Sequence, residues 1–79
     1  MILKIKTFGI SRDILGGRVV ELDMNGTSVG DLRKSLSLRY PQLDKLNSLF
    51  IAVNQEYAED EKVLSDKDEI ALIPPVSGG

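Results

Sequence analysis

A single stretch of the chain, Ser28 to Tyr40, is marked as a helix at both ends, and the regular patterning on either side of it alternates with a period of two. Ser28 has the hydroxyl of an N-cap, and Asp31, three residues on, forms a variant capping box with it. Pro41 stops the helix after Tyr40. Val29, Leu32, Leu36 and Tyr40 recur at spacings of three and four and form one apolar stripe. Such a stripe has to be buried, and the alternating segments supply a sheet to bury it against. Gly30, in the first turn, costs about 1 kcal/mol relative to alanine, and is read as allowing close approach to that sheet.

The strands follow from alternation. Ile2 to Phe8 sends Leu3, Ile5 and Thr7 one way and Lys4, Lys6 and Phe8 the other. Arg18 to Met24 turns Val20, Leu22 and Met24 inward, and pairing with the first strand as an antiparallel hairpin is expected. Gly9 to Gly17 between them reads as a loop, with Gly16-Gly17 as its strongest breaker. Leu43 to Ser48 connects the helix to a third strand, Leu49 to Asn54, with Leu49, Ile51 and Val53 inward. Gln55 to Lys62 fits a turn with a short edge strand. Val63-Leu64 is expected to cap the core, and Ser65 to Asp68 to turn into a last strand, Glu69 to Ile73.

This order predicts an α+β fold: a mixed sheet of four to five strands with one main helix on one face. Leu3, Ile5, Leu22, Leu32, Leu36, Ile51, Val53, Ile70 and Leu72 form the expected core. Phe8 and Ile73 are large apolar residues in solvent registers. With Tyr57 they predict an exposed apolar patch rimmed by charge, the usual mark of a partner site.

Composition removes whole classes of function. The 79 residues make one small domain. A net charge of −2 with scattered lysines and arginines gives no support for nucleic-acid binding. Without cysteine there is no disulfide framework, thiolate nucleophile or Cys-type zinc site; without histidine the usual neutral-pH acid–base group is missing. An autonomous enzyme is not expected, nor a metal site. No apolar run approaches the roughly 18 residues of a membrane span, and Lys4 and Lys6 interrupt any signal-peptide pattern. A cytoplasmic location is the resulting expectation. The acidic runs Glu59-Asp60-Glu61 and Asp66-Lys67-Asp68-Glu69 match no calcium-loop spacing and read as solvated loops.

The remaining feature is the ending, Pro74-Pro75-Val76-Ser77-Gly78-Gly79. The prolines fix φ and push their predecessors toward extended backbone. Gly78 and Gly79 have no Cβ and can enter a channel too narrow for a side chain. The chain therefore divides into a globular domain, residues 1–73, and an extended tail, residues 74–79, whose last chemical group is the Gly79 carboxylate.

The segment Asp68-Glu69-Ile70-Ala71-Leu72-Ile73-Pro74-Pro75-Val76-Ser77-Gly78-Gly79 closely resembles the C-terminus of the small subunit family of molybdopterin synthase. Lys4-Ile5-Lys6-Thr7-Phe8-Gly9 with Arg12-Asp13, Ser28-Val29-Gly30-Asp31-Leu32 and Val53-Asn54-Gln55-Glu56-Tyr57-Ala58 resemble that family's first strand and loop, helix start and third-strand exit. Lys67 stands where the family often has glycine, and Asp13 where it often has glutamate. The resemblance implies a β-grasp, ubiquitin-like fold and a sulfur carrier. On that implication a separate ubiquitin-activating-like enzyme uses ATP to adenylate Gly79, and a sulfur donor converts the adenylate to a thiocarboxylate. The tail, Pro74 to Gly78, enters the synthase large subunit and gives its sulfur to cyclic pyranopterin monophosphate. The implied assembly has two small and two large subunits, the carrier binds no cofactor itself, and Phe8, Arg12, Tyr57 and Ile73 face the partner. A carrier of the thiamine type and a ubiquitin-like modifier conjugated through Gly79 stay open at this point.

Overall fold

A computed structural model describes residues 1–46 and 48–74; the tail residues Pro75, Val76, Ser77, Gly78 and Gly79 lie outside the described residues. The elements run β1 (Ile2–Thr7), α1 (Ile10–Leu15), β2 (Val19–Asp23), α2 (Val29–Arg39), a 3₁₀ turn (Pro41–Lys45), β3 (Phe50–Val53), β4 (Glu56–Tyr57) and β5 (Ile70–Ile73). The five strands form one mixed sheet in the order β2-β1-β5-β3-β4. β1 and β5 pair in parallel, Ile5 opposite Ile70, and the other neighbours are antiparallel. This is the α+β, β-grasp arrangement that the resemblance implied.

α2 starts as its sequence dictates. The Ser28 hydroxyl accepts the Asp31 N–H at 3.1 Å, and the Asp31 carboxylate accepts the N–H groups of Thr27 and Ser28 at 3.0 and 3.2 Å. Those two backbone donors, Thr27 first, hold the Asp31 carboxyl below the usual carboxylate range. The helix ends at Arg39, with Tyr40 as C-cap before Pro41. Val29, Leu32 and Leu36 are buried, and Tyr40 is half-buried against the same core.

All nine expected core residues are buried, joined by Leu15, Met24, Val29, Leu43 and Leu64. Leu36 retains only 1% of its surface. Leu36→Ala is therefore expected to cost about 2–5 kcal/mol, as other buried leucine truncations do, measured by denaturant unfolding. A change within about 0.5 kcal/mol, typical of surface sites, would mean that the α2 stripe is not part of the core.

Three local expectations are corrected. Gly9 to Gly17 contains a short helix, α1 (Ile10–Leu15), in place of the expected loop. It is held by Ser11, fully buried, whose hydroxyl accepts the Phe8 N–H and donates to the Phe8 carbonyl, and by Leu15 in the core. Gly16, at φ +85°, closes it with an N–H to the Arg12 carbonyl at 2.8 Å. The Leu43 to Ser48 segment does connect α2 to β3, its start overlapping the 3₁₀ turn with Leu43 buried. Gly30 meets the Asp60 segment instead of the sheet: its N–H reaches the Asp60 carbonyl at 2.9 Å, and a Cβ there would lie 3.3 Å from that oxygen. Val63 leaves its side chain 66% exposed, and only Leu64 seals the core.

Candidate functional site

α2 covers one sheet face. The other carries the side chains that alternation turns away from the core: Lys4 and Lys6 of β1, Phe50 and Ala52 of β3, Tyr57 of β4, and Ala71 and Ile73 of β5. Across its centre runs a groove of about 390 Å³ lined by Lys6, Phe8, Ala52, Gln55, Tyr57, Glu69, Ala71 and Ile73. Phe8, Tyr57 and Ile73, far apart in sequence, are thus brought onto one surface. Phe8 is 45% exposed and Tyr57 72%, while Ile73 is half-buried. The floor is apolar because Ala52 and Ala71 sit opposite each other on neighbouring strands. The Lys6 ammonium and the Glu69 carboxylate form an ion pair on the rim.

Phe50 belongs to the same surface and was not among the sequence candidates. It is half exposed, sits directly opposite Ile73, and its ring centroid lies 5.3 Å from that of Tyr57 at an interplanar angle of 40°. Tilted aromatic pairs of this kind are favourable beyond their buried area. Its signal was available: it alternates against Ile51 and Val53, the argument applied to Phe8. Arg12 lies on the exposed side of α1 and makes no ion pair among the described residues.

The groove lies where the chain leaves the sheet. Ile73 ends β5 inside it, and Pro74 follows beside Gly9: a Cβ on Gly9 would lie 3.4 Å from the Pro74 ring. Gly9 has φ +56° and ψ −132°, a conformation that residues with a side chain rarely adopt. Glycine at this position thus satisfies the turn into α1, and Pro74 packs beside it. Behind the groove, Asn54 ties the β3–β4 turn to the start of β5. Its N–H meets the Glu69 carbonyl at 2.8 Å, its side-chain oxygen accepts the Glu69 N–H at 3.0 Å, and its amide nitrogen donates to Asp68 at 3.0 Å. The Ser65 N–H and then this Asn54 amide hold the Asp68 carboxyl below its usual range.

Curated relatives match along nearly the whole chain. The molybdopterin synthase sulfur carrier subunit of Arabidopsis thaliana is 33% identical over 79 residues, covering 98% of this chain and 82% of the relative. That of Chlamydomonas reinhardtii is 35% identical over 83 residues and covers both chains completely. Among solved structures, a protein described as molybdopterin converting factor subunit 1 from Pyrococcus furiosus superposes with a TM-score of 0.84 at 26% identity, covering 96% of this chain and 99% of that one. SAMP1 from Haloferax volcanii, a small archaeal modifier protein, gives 0.81 at 29% identity with complete coverage of both. A chain of the complex of subunits 1 and 2 of molybdopterin-converting factor from Helicobacter pylori gives 0.68 at 25% identity, again with complete coverage of both. A model of the ThiS family matches residues 5–79, from the first buried strand to the final glycine, and the chain belongs to that family.

Proposed function

We propose that this chain is the sulfur-carrier subunit of a molybdopterin synthase, with the Gly79 carboxylate as the reacting group. The observation that carries this reading is where the C-terminal segment starts. β5, an interior strand, ends with Ile73 in the apolar groove and Pro74 beside Gly9. A partner docked on the groove would meet the base of the Gly-Gly tail.

A carboxylate is a poor electrophile until it carries a leaving group. A separate activating enzyme attacks the α-phosphate of ATP with the Gly79 carboxylate, releasing pyrophosphate and leaving an acyl adenylate. A sulfur donor then displaces AMP and leaves a thiocarboxylate. The large subunit receives the tail, Pro74 to Gly78 passing toward its pocket, and the sulfur goes to cyclic pyranopterin monophosphate. Molybdopterin has two dithiolene sulfurs, so each product consumes two charged carriers.

In this scheme ATP belongs to the activating enzyme, and the carrier holds no cofactor or metal. Phe8, Tyr57 and Ile73, joined by Phe50, form the docking surface, and Arg12 pairs with a partner carboxylate. The working assembly has two carriers and two large subunits. A cytoplasmic location fits the need for ATP, and no helix among the described residues is long and apolar enough to cross a membrane.

Ordering four tail residues costs roughly 4–8 kcal/mol of backbone entropy. The prolines reduce that cost, the glycines raise it, and docking of the groove offsets it.

The likeness to SAMP1 along the whole chain supports a second reading, conjugation to lysines through Gly79. Both begin with the same adenylate, so intact mass separates them. After incubation with ATP, sulfide and a cognate activating enzyme, the carrier reading expects a mass gain of one sulfur-for-oxygen exchange. Adducts on other proteins without that exchange would favour the modifier.

A further inference from the structure

The groove contains a residue in a backbone conformation that its type does not favour. β3 and β4 are joined by the two residues Asn54 and Gln55, with Val53 paired to Glu56, and both have positive φ, +53° and +72°. Such two-residue turns favour Asn-Gly, because only glycine takes the second position without strain. Asn54 suits the first position. Gln55 stands where glycine would be more stable, and its side chain lines the groove beside Tyr57 and Ile73.

The other polar groups of the groove have less to gain from a partner. Lys6 and Glu69 neutralise each other. The Tyr57 side chain stands on the edge strand, largely exposed. The Gln55 amide forms no hydrogen bond with another described residue, and it borders a floor made of Ala52, Ala71, Phe8 and Ile73. A partner that covers this floor removes water from the amide. A buried amide without a partner is strongly unfavourable, so only a surface with a matching donor and acceptor gains from the contact.

We propose that Gln55 is a partner-selecting residue. Its side-chain amide makes a two-way hydrogen bond with the main-chain N–H and C=O of one extended residue of the large subunit, at the expense of a strained turn in the free domain. An extended residue fits because its own N–H and C=O point to the same side, the complement of a primary amide.

This rests on the docking reading of the groove, and the test separates the two. Binding of the full-length chain to purified large subunit is measured by calorimetry for wild type, Ile73→Asp, Gln55→Gly and Gln55→Leu, with thermal unfolding of each chain alone. Gln55→Gly is expected to unfold a few degrees higher and to bind more weakly by about tenfold or more, the scale of a lost pair of hydrogen bonds. Gln55→Leu is expected to lose about as much affinity although it adds apolar surface. If wild type binds and Ile73→Asp does not, but both Gln55 variants bind within twofold of wild type, the role of Gln55 is overturned and the groove stands. Tighter binding by Gln55→Leu would also overturn it. Failure of wild type to bind would overturn both.

Discussion

Deleting Gly79 is expected to lower sulfur delivery by at least about a hundredfold while leaving the domain folded. The deletion moves the terminal carboxylate back by one residue, up to about 3.5 Å along an extended chain. A misplacement of about 1 Å can already cost on the order of a hundredfold in rate. Adding one residue after Gly79 should fail similarly, because the reacting group would no longer end the native Gly-Gly. Gly78→Ala tests the channel separately: it keeps the carboxylate at the end and adds only a Cβ. None of these changes touches the core, which closes with Ile70 and Leu72 of β5. Thermal unfolding should therefore match wild type. The deciding measurement is molybdopterin formation by purified large subunit supplied with chemically thiocarboxylated chains. Full activity from a chain lacking Gly79 would remove the tail from the mechanism and leave a binding domain.

What could be read in the sequence was what local chemistry determines. The α2 start rests on Ser28 and Asp31, three residues apart, and the capping box formed as expected. β1, β2 and β5 alternate cleanly because each buries one face only, so their inward residues were correctly placed. α1 escaped because six residues are too few to show a helical period. It is held by the Ser11 hydroxyl bonded to Phe8 and by Leu15 packed into a core drawn from distant parts of the chain, while Gly9 and Gly16 imitate the ends of a loop. Close approach at Gly30 was visible, but its partner was not, since Asp60 is far away in sequence. The parallel pairing of β1 with β5, on which the whole site depends, has no local signal at all.

The site was legible in the same uneven way. Phe8 and Ile73 stood out as large apolar residues in solvent registers, and the fold brings both to one groove. Phe50 carried the same signal, but it lies among Leu49, Ile51 and Val53, where one more hydrophobic residue draws no notice. The positive φ of Gln55 is set by the two-residue turn between β3 and β4, so it follows from register and not from residue type. A turn-favouring Asn54 hinted at it, and glycine in the next position would have made it plain.

Replacing Ile73 by aspartate is expected to weaken binding of the large subunit by about thirty- to a thousandfold, the range of a central interface residue worth roughly 2–4 kcal/mol. Ile73 faces Phe50 across β3 and β5, lines the groove, and is the last strand residue before the tail. A carboxylate there would lose its water when a partner covers the apolar floor, with no cation of its own other than Lys6, already paired to Glu69. The free domain should tolerate the change better. Ile73 is half-buried on the open face, and strand-propensity differences span about 1 kcal/mol. Phe8→Asp supplies a second probe outside the strand register, at a side chain 45% exposed in the free domain. Leu38→Asp is the control: Leu38 is 85% exposed, lies on α2, and lines no part of the groove, so binding should be unchanged. Affinities from calorimetry, read beside unfolding curves of the same samples, separate docking from folding. If Ile73→Asp and Phe8→Asp stay folded and bind like Leu38→Asp, the partner does not use this face, and the tail must be recognised without it.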